Sequence, residues 1–223
     1  MVTFGRRRPF RVFGHRGTPL SAPENSMASF EQTLAAGCGF ETDLRRLADG
    51  TIILFHDSEV ARRPVEELTW PEICEIAGPV VRLIELESFS GRCPMILEVK
   101  EAGWENELLP IVSGWRGVVI SSFRIPVLER LREAGCEHPF GLIADEGVVT
   151  AALAAVTLGA SVFFPHYYHV TADLVEMLHG QAVELIPWSP NSPAVWNDLL
   201  ELGCDGVITD VPALAEQWLT TRS

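Results

Sequence analysis

The sequence predicts an α/β fold in which eight parallel strands, each followed by a helix, close into a barrel. Short apolar runs alternate with helical patterns along nearly the whole chain. Eight such units fit within 223 residues, a usual length for a (β/α)8 TIM barrel. Alanine–glycine or leucine–glycine pairs stand before several strands, as expected where helices end in left-handed caps. No linker or low-complexity tract interrupts the pattern, so we expect a single domain over residues 1–223.

The predicted elements follow one another in a regular order. The strands are expected at 11–15, 40–57 (a hairpin), 94–100, 118–122, 140–144, 161–164, 183–188 and 206–209. The helices are expected at 26–36, 69–77, 84–89, 106–115, 126–134, 148–158, 172–178, 193–202 and 212–219. The helix that begins at residue 69 has a well-defined start, because Thr69, Pro71 and Glu72 form a capping pattern.

An open, doubly wound sheet is the alternative for this alternating pattern. That fold binds nucleotides through a GxGxxG loop after its first strand. Residues 14–17 read Gly-His-Arg-Gly and lack this spacing. The barrel is therefore favoured.

The second strand carries a hairpin extension with a concentrated set of polar groups. Glu41 and Asp43 are two residues apart, so on a strand their side chains leave the same face. Asp49-Gly50 predicts a tight turn, because glycine accepts the positive φ that such a turn needs. Folding back at this turn brings His56 close to the two carboxylates.

Composition and charge limit the classes of partner. Apolar residues make up 47% of the chain and charged residues 21%, which is typical of a globular protein with a sizeable core. The net charge of −13 argues against nucleic acid or stable association with an anionic membrane. A small anionic substrate is compatible with this charge, because local cations or a bound metal can reverse the field inside a site.

The cysteine pattern and the N-terminus predict a cytoplasmic protein. The five cysteines are scattered and form no CxxC pair, so we expect reduced core residues. Residues 1–8 contain three arginines without the apolar run of a signal peptide behind them, and no segment reaches the ~18 consecutive apolar residues of a membrane span.

A barrel places its active groups at the carboxyl ends of the strands and in the loops that follow. Several polar and aromatic residues fall at such positions although they are far apart in sequence. Together they indicate an enzyme with its site at one rim. These residues are His15, Arg16, Glu41, Asp43, Glu98, Lys100, Phe123, His166 and Trp188.

The carboxylates predict a site for a hard divalent cation. Glu41, Asp43 and Glu98 form an oxygen-rich set without sulfur, which suits Mg²⁺ or Ca²⁺ rather than zinc. Such a cation would neutralise a phosphate oxygen and offset the repulsion between the carboxylates. Arg16 and Lys100 are natural phosphate partners, the first through a planar fork and the second as a point charge.

Two histidines complete the predicted chemistry. His15 and His56 can divide the proton work, one taking a proton from the nucleophile and the other giving one to the leaving alkoxide. The other histidines are expected to be structural, with His166 nearest to a substrate-contacting position. Each signal is weak alone, since alternating carboxylates often mark a solvated strand face.

In combination, these residues resemble the glycerophosphodiester phosphodiesterase family. The resemblance extends from residue 11 to residue 212, in the family's order, and its part up to Asp57 is the most specific. The motifs that carry it are His15-Arg16-Gly17, Pro23-Glu24-Asn25-Ser26, Phe30, Gly37, Glu41-x-Asp43, Asp49-Gly50, His56-Asp57, Leu97-Glu98-Val99-Lys100 and Gly206-Val207-Ile208-Thr209-Asp210-x-Pro212.

The resemblance implies a metal-dependent phosphoric diester hydrolase of glycerol and lipid metabolism. It would cleave glycerophosphodiesters to glycerol 3-phosphate and an alcohol such as choline or ethanolamine. Carried onto this sequence, Glu41, Asp43 and Glu98 are the implied metal ligands, and His15 and His56 the implied general acid and base. The order of acid and base stays open.

The resemblance also implies lesser roles and shows departures. Arg16 and Lys100 would hold the phosphate, while Glu24 and Asn25 would order the rim. Residues 58–64 lack the family's usual continuation, and only 41 residues separate His56 from the third carboxylate. The insertion that commonly covers the site is therefore expected to be reduced.

Two alternatives remain open at this point. The same site could act on lysophospholipids, through lysophospholipase D-like cleavage or cyclisation. A non-catalytic phosphoester-binding barrel is the second alternative, because the loops are altered. Residues 188–191 read Trp-Ser-Pro-Asn where the family tends to have Trp-Thr-Val-Asn. The sequence does not indicate an oligomeric state.

Overall fold

The computed structural model describes residues 10–222 and shows a nearly closed barrel of eight parallel strands surrounded by helices. The prediction of a (β/α)8 barrel is confirmed. The strands are β1 (Arg11–Gly14), β2 (Gly39–Arg46), β3 (Ile52–Leu54), β4 (Glu59–Val60), β5 (Arg63–Pro64), β6 (Met95–Val99), β7 (Val118–Ser122), β8 (Phe140–Ala144), β9 (Val162–Pro165), β10 (Glu184–Leu185) and β11 (Gly206–Thr209).

The helices follow the barrel strands and form an outer layer. They are α1 (Met27–Ala35), α2 (Trp70–Ala77), α3 (Glu105–Val112), α4 (Ile125–Glu133), α5 (Val148–Leu158), α6 (Ala172–His179), α7 (Pro193–Leu202) and α8 (Pro212–Thr220). Gly159 and Gly203 cap α5 and α7 in the left-handed conformation, as the sequence predicts.

The barrel runs in the order β1, β2, β6, β7, β8, β9, β10 and β11, and β11 pairs again with β1. Between β10 and β11 the closure rests on two backbone hydrogen bonds, in which Asp205 donates to the Leu185 carbonyl and Ile208 to the Pro187 carbonyl, each at 2.9 Å. The regular part of β10 is shorter than the predicted strand 183–188. Pro187 has no N–H to continue the ladder.

The predicted hairpin on the second strand is confirmed. β3 pairs antiparallel with the end of β2, and Gly50 takes the expected positive φ of 84° at the turn. The segment after the hairpin holds the small β4–β5 sheet, a 3₁₀ turn, α2 and a 3₁₀ helix at Leu83–Phe89, where the sequence predicts an α-helix at 84–89. At the start of α2, the Glu72 carboxylate accepts a hydrogen bond from the Thr69 N–H at 2.8 Å, which confirms the predicted cap.

Residue alternation divides the core into two layers. On β6, Leu97 and Val99 face the helices and join the large outer cluster, whereas Ile96 faces the barrel interior with Phe13 and Phe164. A helical pattern expected to reach residue 115 ends at Val112, before a turn at Ser113-Gly114.

Two expectations concern the membrane and the N-terminus. Among residues 10–222, no helix combines the length and the apolar character needed to cross a membrane. The expectation that residues 1–8 carry no signal peptide lies outside the described residues.

Gly141 on β8 gives a test of how tightly the strands pack. A Cβ at this position would lie 2.4 Å from the Val162 carbonyl oxygen and 2.6 Å from the Phe164 ring. We expect Gly141→Ala to lower the free energy of unfolding by about 2 kcal/mol or more, because the clash is with backbone. Urea denaturation of the purified variant measures this change.

Gly180 provides the matched control. It has a φ of −61° at the end of α6, and a Cβ added there would lie 3.3 Å from the Glu176 carbonyl oxygen. Gly180→Ala should therefore change the free energy of unfolding by no more than about 0.5 kcal/mol. Equal stability of the two variants would contradict the packing described for β8.

Candidate active site

Three buried carboxylates form the centre of the rim. Glu41 and Asp43 lie on β2, and Glu98 lies on the neighbouring β6, where it is directly paired with Asp43 in the parallel register. Their relative exposures are 4%, 1% and 7%. One ligand atom from each lies within 4.8 Å of the others. The strand register, rather than a flexible loop, therefore holds this cluster.

Two cations accompany the carboxylates. Lys100 Nζ lies 2.7 Å from Asp43 Oδ1 and 2.6 Å from Glu98 Oε1. Arg16 Nε lies 3.3 Å from Asp43 Oδ2, and the Arg16 backbone N–H donates to Glu41 Oε2 at 3.0 Å. With all groups ionised, three negative charges meet two positive charges. In this fully ionised form the cluster has one excess negative charge, which protonation of one carboxylate would remove.

The pKa values within the cluster reflect this arrangement. Burial, followed by the charge of Asp43, raises the pKa of Glu41 to about 8. Burial also raises the pKa of Glu98, against the opposing effect of Lys100. At Asp43 the effect of burial is outweighed by Lys100 and Arg16, so the pKa of that carboxyl is lowered. Glu41 is thus the carboxylate with the least compensation from the protein.

The donor set fits a hard divalent cation. All three groups offer carboxylate oxygens, which Mg²⁺ and Ca²⁺ prefer. Glu41 Oε1 is buried and has no hydrogen-bond partner in the described residues. An unpartnered buried acceptor, together with the excess negative charge, is the environment that a cation would complete.

Asn25 orients the carboxylate cluster through hydrogen bonds to β2. It is buried and has a left-handed backbone with a φ of 52°, which asparagine tolerates better than most residues. Its Nδ2 donates to Asp43 Oδ2 at 2.9 Å, and its Oδ1 accepts from the Thr42 hydroxyl at 2.7 Å. Glu24, which is half exposed, accepts from Arg16 Nη1 at 3.0 Å. Neither Glu24 nor Asn25 lines the cavity.

His15 follows β1 and is held by a residue that follows β11. Its Nδ1 lies 2.7 Å from Asp210 Oδ1, and the other Asp210 oxygen accepts from Asn191 Nδ2 at 2.6 Å. Burial opposes protonation of His15, but the Asp210 hydrogen bond and the charge of Glu41 outweigh it, so the pKa of His15 is raised. The sequence predicts no role for Asp210 or Asn191. The strand-end position of Asp210 was the available signal.

His56 is held in a similar way at the end of the hairpin. Its Nδ1 lies 2.8 Å from Asp57 Oδ1. Its carbonyl accepts from Arg45 Nε at 2.9 Å and from Arg45 Nη2 at 2.6 Å, and Arg45 also pairs with Glu101. Because each ring engages a carboxylate through Nδ1, Nε2 is the ring nitrogen left for a substrate, and both His15 and His56 line the cavity.

A cavity of about 180 Å³ joins these groups. Its charged side is formed by the carboxylates on β2 and β6 and by the cationic side chains and histidines that follow β1, β3 and β6. Phe123 and Trp188 contribute to its apolar side, with ring centroids 5.8 Å apart. His166 does not line the cavity and instead packs edge-on against Trp188, with the two ring centroids 4.8 Å apart. The structure thus brings together nine of the twelve site candidates, the exceptions being Glu24, Asn25 and His166.

The His15–Asp210 contact predicts a pKa change that can be measured directly. Asp210→Asn removes a negative charge and the carboxylate that favours the imidazolium, so we expect the pKa of His15 to fall. An NMR titration of the histidine ring signals measures this change. Asp57→Asn is the matched control and should leave the pKa of His15 at its wild-type value. An unchanged His15 pKa in Asp210→Asn would contradict this role.

Comparison with known proteins identifies related sequences over most of the chain. Residues 15–79 and 82–214 match the family model described as the glycerophosphoryl diester phosphodiesterase family. A glycerophosphodiester phosphodiesterase of Caldanaerobacter subterraneus subsp. tengcongensis is 27% identical over 231 residues, covering 90% of this chain and 94% of the relative.

Solved structures share the barrel. A glycerophosphodiester phosphodiesterase from Thermotoga maritima superposes with a TM-score of 0.83 at 23% identity, covering 93% of this chain and 97% of that one. An Oleispira antarctica phosphodiesterase, solved in complex with the product sn-glycerol-3-phosphate, superposes with a TM-score of 0.84 at 20% identity, covering 94% and 96%. At these identities, the likeness establishes the fold.

Proposed function

The chain belongs to the glycerophosphoryl diester phosphodiesterase family, and from this premise we propose that it hydrolyses small glycerophosphodiesters to glycerol 3-phosphate and an alcohol. One observation carries the proposal. Three buried carboxylates, two cations and two carboxylate-bound histidines line the same cavity. The product bound by the Oleispira antarctica relative is consistent with this substrate class.

In this proposal, Glu41, Asp43 and Glu98 hold one divalent cation, Mg²⁺ or Ca²⁺. When bound, the cation supplies Lewis-acid stabilisation of the charge on the phosphate oxygens. With the three carboxylates ionised and Arg16 and Lys100 charged, the cluster has a net charge of −1, and a divalent cation would change it to +1. A phosphodiester carries one negative charge, so it would neutralise the site.

The cationic side chains of Lys100 and Arg16 would orient the phosphate. An ammonium group has three donors, and Lys100 uses two of them on Asp43 and Glu98. The third donor is left for a phosphate oxygen. Arg16 donates through Nη1 to Glu24, and its Nη2 would donate to the same anion. Both side chains line the cavity.

The histidines would move the protons. We assign His15 as the general acid, because its pKa is raised and its Nδ1 is held by Asp210. His56 then acts as the general base and takes a proton from the attacking water molecule. As the new P–O bond forms and the old one breaks, His15 gives its proton to the leaving alkoxide.

The cavity size favours compact substrates over lysophospholipids. Its volume of about 180 Å³ is small beside the roughly 300–1,000 Å³ of sites that enclose drug-sized ligands. A glycerophosphoryl group is compact, whereas a long acyl chain would have to lie outside this cavity. The net charge of −13 further supports a small molecule rather than nucleic acid as the partner.

Activity measurements on Glu98→Gln test the metal and the turnover together. Wild-type protein should release glycerol 3-phosphate from glycerophosphocholine, lose this activity with a chelator, and regain it with Mg²⁺ or Ca²⁺. Glu98→Gln should lower kcat/KM and cation affinity by about 100-fold, because it removes one charged ligand with little change of shape. His56→Ala should lower kcat by about 100-fold or more.

Glu87→Gln is the control for this series, because Glu87 is exposed in the 3₁₀ helix at Leu83–Phe89. It should keep wild-type activity and cation affinity. Full metal-dependent activity in Glu98→Gln would remove Glu98 from the cation site. Binding of the diester without turnover, unchanged in His56→Ala, would favour a non-catalytic phosphoester-binding barrel.

The raised pKa of Glu41 predicts a pH dependence of cation binding. Below its pKa of about 8 this carboxyl is protonated in the cation-free protein, and a cation must displace that proton. Mg²⁺ affinity should therefore fall as the pH falls, by up to tenfold per pH unit. Calorimetry in two buffers with different ionisation enthalpies should show protons released at neutral pH. Proton-independent binding would contradict the assignment of Glu41.

A further inference from the structure

Ser121 lies in the cavity wall without a function in the scheme above. It is on β7, directly beside Glu98 in the parallel register. Its side chain is fully buried, and its Oγ has no hydrogen-bond partner in the described residues. An unpartnered buried hydroxyl is unfavourable for folding, so its presence in a cavity wall points to a ligand.

The strand alternation directs the Ser121 side chain into the barrel. Val119, two residues earlier, packs against the inner core. Ser122, on the opposite face, donates its hydroxyl to the Val99 carbonyl at 2.7 Å and accepts from the Arg124 N–H at 3.0 Å. The two adjacent serines therefore differ in their hydrogen bonding. Ser122 is satisfied by backbone, whereas Ser121 faces the cavity with its hydrogen-bonding capacity unused.

Ser121 marks the boundary between the two sides of the cavity. On one side are the carboxylates and cations, of which Glu98 is the nearest along the sheet. On the other side the described lining residues are Ile96, Phe123, Ile143, Phe164, Trp188 and Ile208. The indole N–H of Trp188 is already donated to the Phe164 carbonyl at 3.1 Å. Beyond Ser121, the apolar side therefore offers no free side-chain donor among the described residues.

We propose that Ser121 hydrogen-bonds a hydroxyl of the substrate's glycerol group and selects polyol phosphodiesters over alkyl phosphodiesters. The proposal rests on the proposed function, because it needs the phosphate beside Glu98 and Lys100. With the phosphate there, a glycerol hydroxyl a few bonds away reaches the next strand, about 4.8 Å along the sheet. A neutral hydroxyl that can both donate and accept suits an alcohol, whereas the charged donors suit the phosphate.

A pair of ligands with the same carbon skeleton tests the proposal. Glycerol 3-phosphate and n-propyl phosphate differ only in the two hydroxyls, and calorimetry measures the affinity of wild-type protein and Ser121→Ala for both in the presence of Mg²⁺. Wild-type protein should prefer glycerol 3-phosphate. Ser121→Ala should bind glycerol 3-phosphate about tenfold more weakly and n-propyl phosphate unchanged. Ser121→Cys, with a similar size and a weak donor, should behave like Ser121→Ala.

Turnover provides the second readout. For glycerophosphocholine, Ser121→Ala should raise KM about tenfold and leave kcat within about twofold. For bis(p-nitrophenyl) phosphate, which has no hydroxyl, kcat/KM should stay at its wild-type value. Ser161→Ala, at an exposed serine before β9, is the control and should change none of these values.

The outcomes separate the two proposals. Equal loss of affinity for both phosphates would mean that Ser121 contacts the phosphate, and wild-type affinities in Ser121→Ala would mean that it contacts no ligand. Either result overturns the role proposed here while leaving the proposed function intact. Failure of wild-type protein to hydrolyse glycerophosphocholine would instead contradict the proposed function itself.

Discussion

The pairing of Asp43 with Glu98 across β2 and β6 is the constraint on which the site depends. It places two carboxylates side by side in a buried region, where their repulsion is strong. Lys100 lies between them at hydrogen-bond distance from both, so the cluster is tolerable for folding. Glu41 receives less compensation and has a raised pKa. The protein thus offsets most, but not all, of the negative charge that it buries, and the remainder is what a cation would neutralise.

The proton-transfer candidates are positioned by partners outside the cavity. Asp210 holds His15 through its Nδ1, and Arg45 holds the His56 backbone through its carbonyl. Asn25 positions the carboxylate of Asp43 by donating to it through Nδ2. The contact between Asp210 and His15 joins the carboxyl ends of β11 and β1, so His15 is held only once these two strands are paired.

The fold and the charged side of the site were accessible from sequence because both rest on local rules. Alternation places Glu41 and Asp43 on one face, and the rule that barrel sites lie at strand ends brings Glu98 and Lys100 to the same rim. The role of Asp210 escaped prediction because its contact with His15 joins residues 195 positions apart and exists only once β11 pairs with β1. His166 has the predicted rim position but lies behind Trp188, a packing detail that no periodicity contains.

The two sides of the cavity also explain how an acidic protein could bind the anionic substrate proposed for it. The net charge of −13 belongs to the whole chain, whereas the substrate meets only the cavity. There Arg16 and Lys100 already offset two of three carboxylates, and a cation would make the charged side positive. The apolar side, with Phe123 and Trp188, carries no charge to oppose this. In the proposed function, the reaction class is therefore set by the side fixed through strand register. Substrate choice is set by the side formed from the remaining strands, where Ser121 is the polar residue at the boundary.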